Sequence, residues 1–228
     1  MKNILTVIFL LQVFVIHAQD PEFSQYYAAP LYLNPAFSGT STDHRFIANH
    51  RNQWPNITNG YVTYAFSYDY SLDHLNSGIG ILATVDKAGT AGLRSTQINF
   101  QYSYKVQVSD KFVLSSGLNF GVGNRNIDFN KLIFGDQLEF DRDGNLPPST
   151  DYNNIQSSTY FDFGTGALIY SRMLWLGFSA AHLNRPNRSL IDEEAIIPIK
   201  TTVHGGIRIP LYNGLARRER SAAIMPSF

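Results

Sequence analysis

The chain has 228 residues, and its 18 Lys plus Arg are balanced by 18 Asp plus Glu, so there is no charge excess to attract nucleic acid or an anionic surface. This length corresponds to one or two domains. The absence of Cys excludes disulfides and thiolate chemistry. The low charged fraction of 16% and the aromatic fraction of 14% are typical of strands that face apolar surroundings.

Residues 1–18 have the features of a secretory signal peptide. Lys2 supplies a positive start, Ile4 to Ile16 form an apolar stretch, and Ala18 is a small residue suited to cleavage. The mature chain is therefore predicted to start at Gln19. Since no later run of apolar residues is long enough for a spanning helix, a membrane location would require a closed β-barrel, which also satisfies its backbone polar groups in lipid.

Residues 19–43 are predicted to form an irregular N-terminal leader on the periplasmic side. Pro21, Pro30 and Pro35 exclude a long helix or a central strand, and aromatic residues recur between them. Two interpretations are open. The leader is either a docking or plug element at the periplasmic rim or an ordered segment packed against the barrel.

From about His44 the hydrophobic period becomes two, which indicates β-strands. In the segment 61–70, aromatic and apolar residues occupy one face and small or polar residues the other, over the length that a tilted strand needs to cross a bilayer. The predicted strands are 44–51, 61–70, 78–86, 93–106, 111–121, 158–170, 172–182 and 199–209. They define a β-barrel domain at 44–213, followed by an atypical tail at 214–228.

The alternation also fits a soluble secreted β-sandwich or barrel. Two features favour an outer-membrane antiparallel β-barrel. Short turns alternate with long loops such as 124–157, and Tyr residues lie near strand ends, as in an interfacial aromatic girdle. The fold class predicted is therefore all-β, with about eight visible strands of an outer-membrane barrel.

Three segments resemble a known family. The run Asp20 to Gly39, reading DPEFSQYYAAPLYLNPAFSG, the element His50 to Pro55, reading HRNQWP, and the strand Val62 to Asp69 together resemble the PorP/SprF family of type IX secretion system membrane proteins. The resemblance covers about residues 19–213. It implies a bacterial outer-membrane β-barrel whose partners are the type IX secretion machinery, secreted cargo proteins and outer-membrane lipid, with gliding adhesins as cargo in some bacteria. Family members are usually longer, which leaves open whether this chain is truncated from a larger barrel.

No catalytic, cofactor or metal site is predicted. His44, His50, His74, His182 and His204 are scattered without metal-ligand spacing, and no nucleophile elbow occurs. The candidate partner-binding or rim residues are Phe23, Gln25, Tyr26, Pro30, Asn34, Pro35, Gly39, Arg51, Gln53 and Trp54. The expected function is non-enzymatic support of protein export or surface attachment. The alternatives are a small outer-membrane diffusion channel, a soluble secreted β-barrel binding protein and an outer-membrane enzyme.

Overall fold

The computed structural model is all-β and describes residues 20–41, 43–57, 60–89, 92–127, 135, 157–190, 194–210 and 223–224. The predicted signal peptide, most of the long loop 124–157 and most of the tail 214–228 lie outside the described residues. In the described part, no helix has the length and apolar character needed to cross a membrane.

Eight antiparallel strands follow one another in a single sheet, each paired with its neighbours in the chain. They are β1 (Arg45–Gln53), β2 (Tyr61–Leu72), β3 (Ser77–Ala88), β4 (Leu93–Gln107), β5 (Val113–Asn126), β6 (Ser158–Tyr170), β7 (Leu174–Ala181) and β8 (Lys200–Ile207). Each corresponds to one of the eight predicted strands, so the predicted all-β class is confirmed. A separate two-stranded pair joins β9 (Ile209–Pro210) to β10 (Ala223–Ile224), the latter within the predicted tail.

The sheet curls into a half-barrel. Among the described residues, β1 pairs only with β2, and β8 only with β7. In the structure, the leader occupies the concave side of the sheet.

The two faces of the sheet have opposite chemistry because side chains alternate along each strand. The convex face carries large apolar side chains, including Phe66 (51% exposed), Phe100 (48%) and Phe120 (47%). The concave face is buried and consists mostly of Ser, Thr, Asn, Gln and Gly. A soluble sheet normally shows the reverse arrangement, whereas an apolar outer face and a polar inner face characterise a membrane barrel.

Loop lengths distinguish the two rims of the half-barrel. Among the described residues, one rim has the short turns 73–76, 108–112 and 171–173 and is called here the short-turn rim. The other rim has the connections 54–60, 89–92, 127–157 and 182–199 and is called the long-loop rim.

Candidate functional site: a leader held on the concave face

The leader crosses the concave face from the long-loop rim to the short-turn rim. It contains two 3₁₀ turns, Tyr26–Ala28 and Pro35–Phe37, with one α-helical turn, Pro30–Leu33, between them. Proline begins both of the later turns, where its fixed φ is favourable and no backbone N–H is needed. Two of the three prolines that excluded a strand thus begin turns in a compact run.

Asn34 is the centre of the contact between leader and sheet and is fully buried. Its Oδ1 accepts a hydrogen bond from the Ala36 N–H at 2.8 Å and so caps the second 3₁₀ turn. Its Nδ2 lies 3.1 Å from the Ala167 carbonyl of β6, 3.0 Å from the Phe178 carbonyl of β7 and 3.0 Å from His204 Nε2 of β8. One side chain therefore connects the leader with three strands.

Polar side chains of other strands donate to the carbonyls of the leader. Gln101 Nε2 donates to the Leu31 carbonyl at 2.8 Å, Ser103 to that of Ser38 at 2.7 Å, and Ser115 to that of Ala36 at 2.8 Å. Ser179 donates to the Leu33 carbonyl at 2.8 Å. Buried polar groups on the concave face thereby find partners in the leader backbone, which explains why small polar residues recur there.

Glycines on three strands permit the close approach of the leader. A Cβ added at Gly117 would lie 2.3 Å from the backbone nitrogen of Ala36, and one at Gly78 would lie 2.2 Å from the Ser38 carbonyl oxygen. At Gly166 it would lie 2.0 Å from Asn34 Oδ1. These three glycines are thus contact positions for the leader.

At the short-turn rim, an ion pair on the buried carboxylate of Asp69 fixes the end of the leader. Asp69 is 1% exposed and accepts hydrogen bonds from the Gly39 N–H and from Arg45 Nε, both at 2.8 Å. Arg45 also donates to the Phe37 carbonyl at 3.0 Å. Gly39 has a φ of +62° in close contact with the backbone of Gly78 and Ser71, so a side chain there would be strained and obstructed.

At the long-loop rim, His182 joins two carboxylates. Its Nδ1 lies 2.9 Å from Asp162 Oδ1 of β6, and its Nε2 lies 2.7 Å from Asp20 Oδ2 of the leader. Strand alternation alone would put residue 182 on the convex face, but a positive φ of 59° ends β7 and turns this side chain inward, where it is 6% exposed. The first described residue of the leader is thereby tied to the sheet.

The electrostatics favour the protonated form of His182 and the ionised form of Asp20. Burial acts to lower the pKa of His182, but the hydrogen bonds and charges of Asp162 and Asp20 outweigh it and raise that pKa to about 9. Burial acts to raise the pKa of Asp20, yet His182, with Lys200 and Arg188, holds it below its usual value. At neutral pH the imidazolium therefore lies between two carboxylates.

A cavity of about 430 Å³ lies beside this cluster, between the leader and the long-loop half of the concave face. Polar side chains from several strands line it, among them Gln97, Asn119 and Asp162. Gln97 Nε2 donates to Asp162 Oδ2 at 2.9 Å. The Asn119 Oδ1 atom is buried without a hydrogen-bond partner among the described residues.

The structure separates the predicted partner-binding residues into two groups. Pro30, Asn34, Pro35 and Gly39 lie against the sheet, and Phe23 packs edge-on against Tyr32 with ring centroids 5.3 Å apart. Gln25 is exposed, while the Tyr26 hydroxyl is buried without a described partner.

The second group lies at the long-loop end of β1. Arg51 Nη2 donates to Gln53 Oε1 at 2.6 Å, so its described partner is an amide. Trp54 has a positive φ of 59°, is 54% exposed and meets Tyr61 edge-on at 5.5 Å.

Sequence reasoning missed Asp20, Asp162 and His182 as a cluster. Residue 182 was one of several scattered histidines, and the spacing of 20, 162 and 182 contains no local motif. The usable signal was the alternation of β6, which places Asp162 on the polar face. What brings the three together is the path of the leader across the sheet, which sequence periodicity does not encode.

The sequence model of the family described as type IX secretion system membrane protein PorP/SprF matches residues 15–228. No curated protein and no solved structure matches the chain.

Proposed function

The chain belongs to the PorP/SprF family of type IX secretion system membrane proteins, and from this premise we propose that it is a non-catalytic outer-membrane component that supports export or surface attachment of partner proteins. Its partners in this proposal are the type IX secretion machinery, the secreted cargo and outer-membrane lipid. The single observation that carries the proposal is the family match over nearly the whole chain.

The distribution of side chains supports a location in a bilayer. Large apolar residues of the convex face are about half exposed on neighbouring strands, as at Phe66, Phe100 and Phe120. Soluble monomers rarely expose contiguous apolar patches of more than a few hundred Å². In lipid the same face is favourable, and this argues against a soluble secreted binding protein.

The leader argues against the alternative of a simple diffusion channel. Its turns cover the concave face, and the polar side chains that would line a water-filled pore instead bind leader carbonyls, as Gln101, Ser103 and Ser115 do. We therefore favour a component whose lumen is occupied by its own amino-terminal segment.

The rims suggest an orientation. In bacterial outer-membrane barrels, short turns lie on the periplasmic side and long loops on the outside. With that orientation, Gly39 lies at the periplasmic rim and Asp20 at the outer rim, so only the end of the leader takes the periplasmic position expected from sequence. Because the chain has no Cys, a cysteine placed at the exposed Gln25 should react with an impermeant thiol reagent on intact cells, whereas one at Ser109 in a short turn should react only after permeabilisation. The opposite labelling pattern would reverse the orientation.

A deletion strain of the native host tests the role in export. Loss of the chain should reduce the amount of type IX cargo outside the cell, and re-expression should restore it. Phe100→Arg places a charge at the middle of β4 on the lipid face and should not restore export. Val108→Arg, just beyond the end of β4, is the matched control and should restore it. Unchanged secretion after deletion would contradict the proposal.

A further inference from the structure

The leader consists of two parts that differ in burial. Residues 29–39, called here the anchor segment, contain the buried residues Ala29, Leu31, Asn34, Pro35, Ala36, Ser38 and Gly39. Residues 20–28, called the latch segment, contain no buried residue. The change falls at Ala28 and Ala29, between the first 3₁₀ turn and the α-helical turn.

The attachments of the two segments differ as well. The anchor segment is held by hydrogen bonds from many strands, with Asn34 alone reaching β6, β7 and β8. The latch segment contacts the anchor segment through Tyr32, whose hydroxyl donates to the Pro21 carbonyl and whose ring Phe23 meets edge-on, and it has fewer ties to the sheet. Asp20 meets His182 at 2.7 Å, Glu22 meets Lys200 at 2.7 Å, and the Ala28 carbonyl accepts from Asn49 at 3.1 Å.

These ties are unequal. The Glu22 side chain is 69% exposed, so its ion pair with Lys200 is screened by water and holds the segment only weakly. The Asp20 and His182 side chains are 19% and 7% exposed, which makes their charge-assisted hydrogen bond the stronger one. Asp162 remains bonded to His182 if Asp20 departs, so release of the latch segment does not leave the imidazolium without a partner.

The latch segment also helps to enclose the cavity at the long-loop rim. Asp20, Pro21, Glu22, Phe23 and Tyr26 line one side together with Leu31, Tyr32, Leu33 and Pro35 of the anchor segment, and the concave face forms the other side. Lifting the latch segment would open the cavity to the long-loop rim and would leave the anchor segment in place.

We propose that residues 20–28 are a lid over this cavity, latched by Asp20 on His182, and that the lid opens while residues 29–39 stay docked. When the lid opens, the concave face becomes accessible at the long-loop rim and stays covered at the short-turn rim. It operates whether or not the chain takes part in export, so its test is independent of the proposed function.

Thiol labelling of the purified full-length mature chain tests the lid. In the Cys-free background, Asn119→Cys reports on the cavity and Ser115→Cys reports on the anchor segment, because Ser115 is fully buried against the Ala36 carbonyl. Asp20→Asn removes the charge of the latch. Glu22→Gln, which breaks the exposed ion pair of the same segment, is the matched control.

Asp20→Asn should accelerate labelling at position 119 by about ten- to hundredfold, the equilibrium effect of losing one hydrogen bond to a charged group. Labelling at position 115 should remain slow, which also shows that the variant is folded. Glu22→Gln should leave both rates nearly unchanged. Unchanged labelling at 119 in Asp20→Asn, an equal effect of Glu22→Gln, or faster labelling at both positions would each overturn the proposal, the last because the whole leader would then lift as one unit.

Discussion

Gly117→Ala tests directly whether the anchor segment is docked as described. The new Cβ would lie 2.3 Å from the Ala36 nitrogen and 2.5 Å from the Pro35 carbonyl carbon, both backbone atoms. Ordinary van der Waals contact begins at 3.4 Å, so the leader would have to retreat by about 1 Å. The hydrogen bonds of Asn34 and Ser115 resist this movement.

The sign of the change in stability is informative. Overpacking of this kind costs about 1–3 kcal/mol, and backbone collisions belong to the upper part of that range. Replacing Gly by Ala within a strand otherwise stabilises by roughly 0.5–1 kcal/mol. A docked leader therefore predicts a net destabilisation of about 1–2 kcal/mol, whereas an undocked leader predicts a small stabilisation.

Urea unfolding of the protein reconstituted in lipid vesicles, followed by Trp fluorescence, measures the difference. Gly164→Ala is the matched control, because Gly164 of β6 also lies on the concave face. There the nearest atom is the Ala180 carbonyl oxygen at 3.1 Å and no leader atom is among the nearest neighbours, so its effect should be smaller. A Gly117→Ala protein as stable as the unmodified chain, or more stable, would refute the docked arrangement.

Three further predictions concern other parts of the structure. Asn34→Ala should lower the free energy of unfolding by about 2–4 kcal/mol in the same urea assay, because it removes a cap and two hydrogen bonds, while Gln25→Ala should not. Phe100→Arg should disfavour folding into vesicles by about 2–4 kcal/mol, measured by heat-dependent gel migration, and Val108→Arg should have little effect. Thiol labelling at Asn119→Cys, divided at each pH by the rate at the exposed Ser109→Cys to remove the pH dependence of the thiolate itself, should be constant below pH 6.5, accelerate as the pH rises towards 9, where His182 loses its proton, and level off above it.

The direction of that pH dependence follows from the sign of each shift. A folded-state pKa of about 9 for His182, against an ordinary value of 6.5, gives a stabilisation that is complete below 6.5 and is lost as the pH rises through 9. At about 1.4 kcal/mol per unit, the difference corresponds to about 3 kcal/mol for complete unfolding, and lid opening involves only part of it because Asp162 stays bonded to His182 when Asp20 departs. The lowered pKa of Asp20 adds stability that is present above its ordinary value of 3.8 and is lost in more acidic solution. Arg188 and Lys200 also act on Asp20, so the acid limit depends on them as well.

Strand positions were predictable because alternation is a local property. In β2 and β4 the apolar and polar faces could be read directly, and residues such as Phe66 and Phe100 proved to lie on the exposed convex face. Strand order was also accessible, since short turns join consecutive antiparallel strands. Strand ends differed by a few residues, as at Leu174, where turn geometry decides the boundary.

The site was less accessible because it depends on contacts between distant parts of the chain. The leader was recognised from Pro30, Asn34, Pro35 and Gly39, and its packing against the sheet was one of two interpretations left open. The position of each residue could not be predicted. Asn34 meets carbonyls more than a hundred residues away, and His182 turns inward only through its positive φ. Glycines such as Gly117 indicated positions without a side chain. They did not indicate that the leader backbone fills the space next to them.

The docked leader also limits how the backbone hydrogen-bonding groups at the edges β1 and β8 can find partners. A closed barrel of eight strands has an interior just wide enough for its own side chains. Here the concave side already contains a run of helical turns, and Phe37 contacts both edges, accepting from Arg45 of β1 at 3.0 Å and stacking on His204 of β8 at 5.5 Å. Direct pairing of β1 with β8 would remove the space that the leader fills. Unpaired strand edges are prohibitively costly in lipid. In a bilayer, a sheet that keeps this leader on its concave side therefore needs partners for the edges of β1 and β8 beyond those that the described residues supply.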